Sequence, residues 1–159
     1  MTVFSDTTPI IALSSIGRLS LLPELFGPIH LAGSVIDECA VGGRIAVPDL
    51  TSLDWVIPIL GTPSDLRIFP LLYELDKGER DTLLWAMHMQ AGQVLLDEKM
   101  GRNLAEYLGL NVTGTLGVLL KAKQMGLIET FRESAEAMRQ QGIYFSDILI
   151  RRLANRIGE

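Results

Sequence analysis

Short apolar runs alternate with helix-length stretches along this chain, and glycine closes most of the helices. The runs Thr2–Ser5, Ile29–Ala32, Val94–Leu96 and Leu110–Val112 are too short for helices and lack the alternation of a strand with one wet face. They fit strands buried on both faces. Strands of this kind separated by helices form βαβ units, hence a parallel sheet with helices on both sides. In such sheets ligands bind beyond the carboxyl ends of the strands. Residues that directly follow a strand are therefore the first place to look for chemistry.

Local signals place the helices. Thr8-Pro9 reads as cap and first residue of a helix through Ser15, stopped by Gly17; a second, Leu19–Leu25, ends at Gly27-Pro28. Ser34, with Asp37 at capping-box spacing, opens a helix through Ala40. Val47–Pro63 holds three prolines and reads as irregular, with one edge-like strand at Trp55–Ile59. Ile68–Leu75 reads as a short helix, and Asp76-Lys77-Gly78-Glu79 as a capping box opening a helix through Gln90. Further helices are expected at Lys99–Leu108, Leu116–Gln124, Glu129–Gln140 and from a Ser146 cap to Arg156.

The 159 residues suit one domain spanning 1–159 with a sizeable core. Hydrophobic residues at 48% against 21% charged exclude a disordered chain. The mean hydropathy of +0.28 suits a two-sided sheet or a surface that a partner covers. No apolar run reaches the roughly 18 residues of a membrane span, and the start lacks a basic leader region. The single cysteine, Cys39, excludes an internal disulfide and a cysteine-based zinc cage. A cytoplasmic location is expected.

The net charge is −5, all of it in residues 1–80; from Lys99 onward nine basic residues face six acids. A pI near 5.0 argues against general salt-driven nucleic-acid binding. It leaves room for an acidic, metal-holding site flanked by phosphate-contacting cations.

Acids stand where the sheet rule points. Asp6 follows the first strand, Glu38 lies one turn into the helix after the second, and Asp97-Glu98 follow the Val94–Leu96 strand. Glu79 begins the helix leading to that strand. Carboxylates converging on one rim raise one another's pKa, and a divalent cation relieves the repulsion. Magnesium and manganese take oxygen ligands and often bind substrate phosphates. The pattern therefore suggests metal-assisted phosphodiester hydrolysis. Plainer readings stand beside it: Asp6 as a turn residue, Glu38 as a surface acid, Glu79 as half of a capping box, Asp97 as a helix cap.

Other chemistries have less support. His30 lies in an apolar strand and His88 in a helix, so a two-histidine site is not indicated. Cys39 has no histidine partner and reads as a small buried residue. Thr113-Gly114-Thr115-x-Gly117 reads first as a tight strand-to-helix turn and second as support for a metal or substrate; it is neither a P-loop nor a dinucleotide fingerprint. Lys99, Arg102, Lys121 and Lys123 are candidate phosphate contacts.

The segments SDTTPIIAL, VIDE at 35–38, LDKGERDTLLWA at 75–86, LLDEKMGRNLAEYLGL at 95–110 and VTGTLGVLLKAKQMGLI at 112–128 resemble the PIN-domain superfamily. They are most similar to a PIN-like branch of prokaryotic proteins encoded beside small antitoxins. The resemblance implies a three-layer α/β/α sandwich with a mostly parallel sheet. It also implies a magnesium- or manganese-dependent ribonuclease, the toxin of a toxin–antitoxin pair, acting as a homodimer with a small antitoxin partner. Asp6, Glu38, Glu79 and Asp97 match the family's acidic set, and Thr7 its following hydroxyl. Many active members carry an aspartate where this chain has Glu79, with Asp81 nearby, and Glu98 competes with Asp97 for the last place. Lys99 and Arg102 are then expected on phosphate, with Thr115 supporting the site. The rival expectation is a PIN-like module that no longer cuts and instead scaffolds a protein or RNA. A phosphatase or DNA nuclease using the same acids is a third.

Overall fold

The computed structural model describes residues 1–63 and 70–159. Five short strands form one all-parallel sheet: β1 (Val3–Ser5), β2 (Ile29–Ala32), β3 (Val56–Ile59), β4 (Gln93–Leu95) and β5 (Val112–Thr113), in the order β3-β2-β1-β4-β5. Among the described residues the α-helices are eight: α1 (Thr7–Ser15), α2 (Leu21–Phe26), α3 (Gly33–Ala40), α4 (Lys77–His88), α5 (Lys99–Tyr107), α6 (Thr115–Gln124), α7 (Phe131–Gln140) and α8 (Asp147–Arg156).

The period of two explains the layers. Val3 and Leu95 face a core made with α1, α2, α3, α6, α7 and α8. Phe4, Val94 and Leu96 face a second core under α4, α5 and the 3-10 turn Pro70–Glu74. Successive strand side chains point to opposite faces, so three buried residues in a row require helices on both sides. The expected sandwich is therefore present. Strand β3 lies at the sheet edge, which is where Pro58 is tolerated.

From β1 the chain walks outward through β2 to β3, then returns to add β4 and β5 on the other side of β1. The direction reverses between β1 and β4, and the crevice outside their carboxyl ends is the favoured ligand position. Main-chain bonds continue past both strand ends: the Asp6 N–H donates to the Leu95 carbonyl at 2.9 Å, and the Leu96 N–H to the Thr113 carbonyl at 3.0 Å.

Several boundaries differ from expectation. Helix α1 starts at Thr7 with Asp6 in the cap position, so Pro9 is its third residue. The first-turn N–H groups have no intrahelical acceptor, and a proline there loses no bond. Ser34 does not cap α3, which begins at Gly33; its hydroxyl is used elsewhere. Helix α4 ends at His88 rather than Gln90, because Gln90 takes a left-handed φ of 52°. The expected Ile68–Leu75 helix is a 3-10 turn in its described part, and residues 68 and 69 lie outside the described residues. Helix α7 begins two residues later than expected, at Phe131. Its first turn is held by the Thr130 hydroxyl and by the Glu159 carboxylate, which accepts from Phe131 and Arg132 at 2.7 and 2.9 Å. Among the described residues no helix is long and apolar enough to cross a membrane.

Candidate active site

Asp6 lies buried just past the carboxyl end of β1. Its backbone caps α1, but its side chain makes no capping bond; it is 4% exposed, and Oδ1 is buried without a hydrogen-bond partner. Such orphans are rare in folded proteins, since leaving one costs about 1–3 kcal/mol. Glu38 bridges the first turns of two helices. Its Oε2 accepts from the Thr7 hydroxyl at 2.6 Å and its Oε1 from the Gly78 N–H at 3.1 Å. Only glycine permits this approach: a Cβ at position 78 would stand 2.6 Å from Oε1. Asp76 caps α4 by accepting from the Glu79 N–H at 3.0 Å. The Glu79 carboxylate is buried against the first turn of α5, where a Cβ on Gly101 would lie 3.4 Å from its Oε1.

Burial and mutual repulsion shift Asp6 and Glu79. Burial, then the charges of Glu79, Asp76 and Glu38, push Asp6 from an ordinary 3.8 up to about 7, against the pull of the Thr7 N–H. Burial, then Asp76, Glu98 and Glu38, push Glu79 up to about 7 as well. Three further carboxyls thus act on this pair at the β1/β4 crevice: Asp76 and Glu38 on both, and Glu98 on Glu79.

The sequence search missed Asp76, read there as a cap, although it acts on both shifted acids. It left Glu98 as a rival to Asp97, and the structure gives the two different positions. Asp97 has both oxygens on α6: Oδ1 accepts from the Thr115 N–H at 2.7 Å and Oδ2 from its hydroxyl at 2.5 Å. The site of a Cβ on Gly114 would lie 2.9 Å from Asp97 Oδ1 and 3.0 Å from an Arg102 nitrogen, so these two side chains share one wall.

A family model, DUF3368, described as a PIN domain, matches residues 2–159. This chain belongs to the PIN-domain family. A solved structure similar to it is a PilT N-terminus domain protein from the hyperthermophilic archaeon Sulfolobus solfataricus P2. The two share 13% identity and a TM-score of 0.54, over 92% of this chain and 98% of that one. That likeness speaks for the fold. No curated protein gave a significant match.

In this PIN domain, Asp81 belongs to the frame. It is 2% exposed, and its Oδ2 accepts from Ser34 on α3 at 2.7 Å and from Lys77 at 2.8 Å. This contact ties α3 to α4 one turn from the Glu38–Gly78 bond, so it sets how Glu38 meets Glu79. The Thr7 hydroxyl is likewise engaged by Glu38, and the Thr115 hydroxyl by Asp97. Lys99 is exposed at the start of α5. The expectation that Lys121 and Lys123 flank the rim is corrected. Both lie in the last turn of α6, whose first turn is at the rim; Lys121 sits over the Phe26 ring and Lys123 binds the Glu129 carbonyl and Glu159. His30 packs on Phe4 with its Nδ1 buried and unpartnered, and His88 is exposed beside Trp85. Cys39 is buried, and burial with the charges of Glu38 and Asp6 pushes its thiol up to about 12.

The donor set fits a hard divalent cation. Among the described residues no three acid, histidine or cysteine side chains are drawn in to ligand spacing. Magnesium does not need that, since it commonly binds through one or two carboxylates, waters and substrate phosphates. The orphaned Asp6 oxygen and the repulsion on Glu79 are what such an ion relieves.

Proposed function

We propose that this PIN domain is a magnesium- or manganese-dependent endoribonuclease, the toxin of a toxin–antitoxin pair. The family generally includes metal-dependent nucleases. The observation that carries the reading is the buried, unpartnered oxygen of Asp6, a carboxyl on which the charges of Glu79 and Glu38 act, at the point where the strand order reverses. Asp6 and Glu79 are the ion's first holders in this reading, with Glu38 and Glu98 beside them. A bound ion supplies a water of lowered pKa and offsets charge on the phosphodiester. The chain's own groups do the rest. Thr7 and Gly78 orient Glu38; Thr115 orients Asp97; Arg102, beside Asp97, contacts a phosphate oxygen, with Lys99 nearby in solvent. A homodimer and a small antitoxin suit the exposed Leu60, Leu71 and Tyr73.

A second reading, a non-cutting scaffold, draws on one feature: both oxygens of Glu38 and of Asp97 are already engaged within the chain. Manganese calorimetry on wild type and Asp6→Asn, paired with cleavage of labelled RNA, DNA and a small phosphomonoester with and without chelator, separates the readings. The ribonuclease reading expects manganese binding and RNA cleavage in wild type and neither in Asp6→Asn. Partner capture without turnover supports the scaffold. Cleavage that persists in Asp6→Asn refutes the assigned site.

A further inference from the structure

Helix α6 starts without a cap of its own. Its cap position is Gly114, which has no side chain to bond the first turn. The unmet N–H groups at a helix start then need a partner from elsewhere. Asp97, just past the end of β4, supplies one: its carboxylate spans the Thr115 N–H at 2.7 Å and the Thr115 hydroxyl at 2.5 Å. Thr115 is fully buried, so water does not stand in for either bond. Space requires the glycine as well. A Cβ on Gly114 would stand 2.9 Å from Asp97 Oδ1 and 3.0 Å from an Arg102 nitrogen, so the two side chains meet over one notch.

Asp97 is thus the opposite of Asp6. The Asp6 oxygen Oδ1 is buried with no partner, whereas Asp97 has a donor on each oxygen and a guanidinium close by. Of the two adjacent acids at this strand end, Glu98 acts on Glu79. Drawing Asp97 onto a cation would strip the first turn of α6 of its cap and set the cation's charge against Arg102.

Resting on the ribonuclease reading, we propose that Asp97 is a positioning residue and not a holder of the ion: bonded to Thr115 and seated over Gly114, it fixes Arg102 for a phosphate oxygen. Arg102 stands in the first turn of α5 and is half-buried. A guanidinium held in place beforehand loses less freedom when it meets a phosphate. The rival role is an ion-holding Asp97 that Thr115 merely steadies. The two roles differ in what they need: positioning needs the hydrogen bonds to Thr115, and ion holding needs the negative charge.

The test uses the full chain, manganese calorimetry and a fluorescein-labelled mixed-sequence RNA 12-mer. Asparagine at 97 keeps an acceptor for the Thr115 N–H, and its amide donates to the Thr115 hydroxyl, but the charge is gone. Asp97→Asn is therefore expected to hold manganese affinity within about threefold of wild type and to keep KM, where Asp6→Asn loses the metal. Asp97→Ala removes the tie and is expected to raise KM about tenfold with kcat and manganese affinity held, as the loss of one bond to a charged group does. Arg102→Ala should do the same, and the double variant should be no worse than either. Thr115→Val, which removes only the hydroxyl bond, should move KM in the same direction and serves if Asp97→Ala folds poorly. Manganese lost in Asp97→Asn, KM unmoved in Asp97→Ala, or losses at 97 and 102 that add overturns the proposal. If the wild type binds no manganese or cuts nothing, the ribonuclease reading fails on its own, and fluorescence anisotropy with the same RNA then decides the role of Asp97. Weaker binding by Arg102→Ala and Asp97→Ala alike, restored in Asp97→Asn, supports it; equal readings for wild type and both alanine variants overturn it.

Discussion

Asp6→Asn should make the metal-free protein more stable at pH 8 while abolishing metal binding. The Asp6 carboxyl titrates at about 7 in the fold against an ordinary 3.8. Below pH 3.8 it is protonated in both folded and unfolded chains and contributes nothing. As pH rises the unfolded chain releases the proton first, so stability falls until the folded carboxyl ionises near 7 and is flat above that. At 1.36 kcal/mol per pH unit the full effect is about 4 kcal/mol. Part of it is shared with Glu79, which relaxes when Asp6 is neutral, and the amide brings its own burial cost. About 2 kcal/mol is therefore expected at pH 8, or roughly 4–8 °C in Tm for a chain this size. At pH 4.5 only about a quarter of that remains. Saturating manganese reverses the order, since ligand at a hundred times Kd stabilises only the wild type, by about 2.7 kcal/mol. Thermal melts at both pH values, with chelator and with manganese, test this. The reasoning fails if Asp6→Asn is no more stable than wild type at pH 8, if the gap is independent of pH, or if manganese lifts both proteins equally.

Gly78→Ala improves helix propensity by up to about 1 kcal/mol, yet its methyl would meet Glu38 Oε1 at 2.6 Å. Calorimetry should show manganese affinity at least tenfold weaker, and unchanged affinity would remove Glu38 from the site. Asp81→Ala removes the acceptor of half-buried Ser34 while Lys77 stays in solvent, and should cost about 1–1.5 kcal/mol in urea unfolding; a change under about 0.5 kcal/mol would show that the α3–α4 tie does little. With its thiol pushed up to about 12, Cys39 should resist a disulfide reagent at pH 8 until the protein unfolds. Labelling of the native chain within seconds would contradict its burial.

Much of the architecture is legible in local pattern. Apolar runs marked β1, β2 and β4, the Leu110–Val112 run meets β5 only at Val112, Pro58 marked β3 as an edge, and the Asp76 and Ser146 caps could be read from spacing alone. Asp6 and Glu38 could be placed near a strand's carboxyl end because each follows its strand closely. The roles of the remaining acids could not be read this way. Asp76 and Glu79 share a capping signature, and only the approach of α4 to the end of β1 makes them repel Asp6. Asp97 and Glu98 are adjacent in sequence, yet one is bound to α6 and the other acts on Glu79. Asp81 looked like a spare ligand until Ser34, 47 residues earlier, was found bonded to it. Lys121 and Lys123 looked like rim cations until the direction of α6 carried them away. Periodicity is a property of neighbouring residues, so the sequence by itself determined which faces are buried and where helices stop. Electrostatic coupling and hydrogen bonding depend on distance through space. The placing of β1 beside β4 therefore decided which carboxyls act on one another, and only the tertiary structure holds that arrangement.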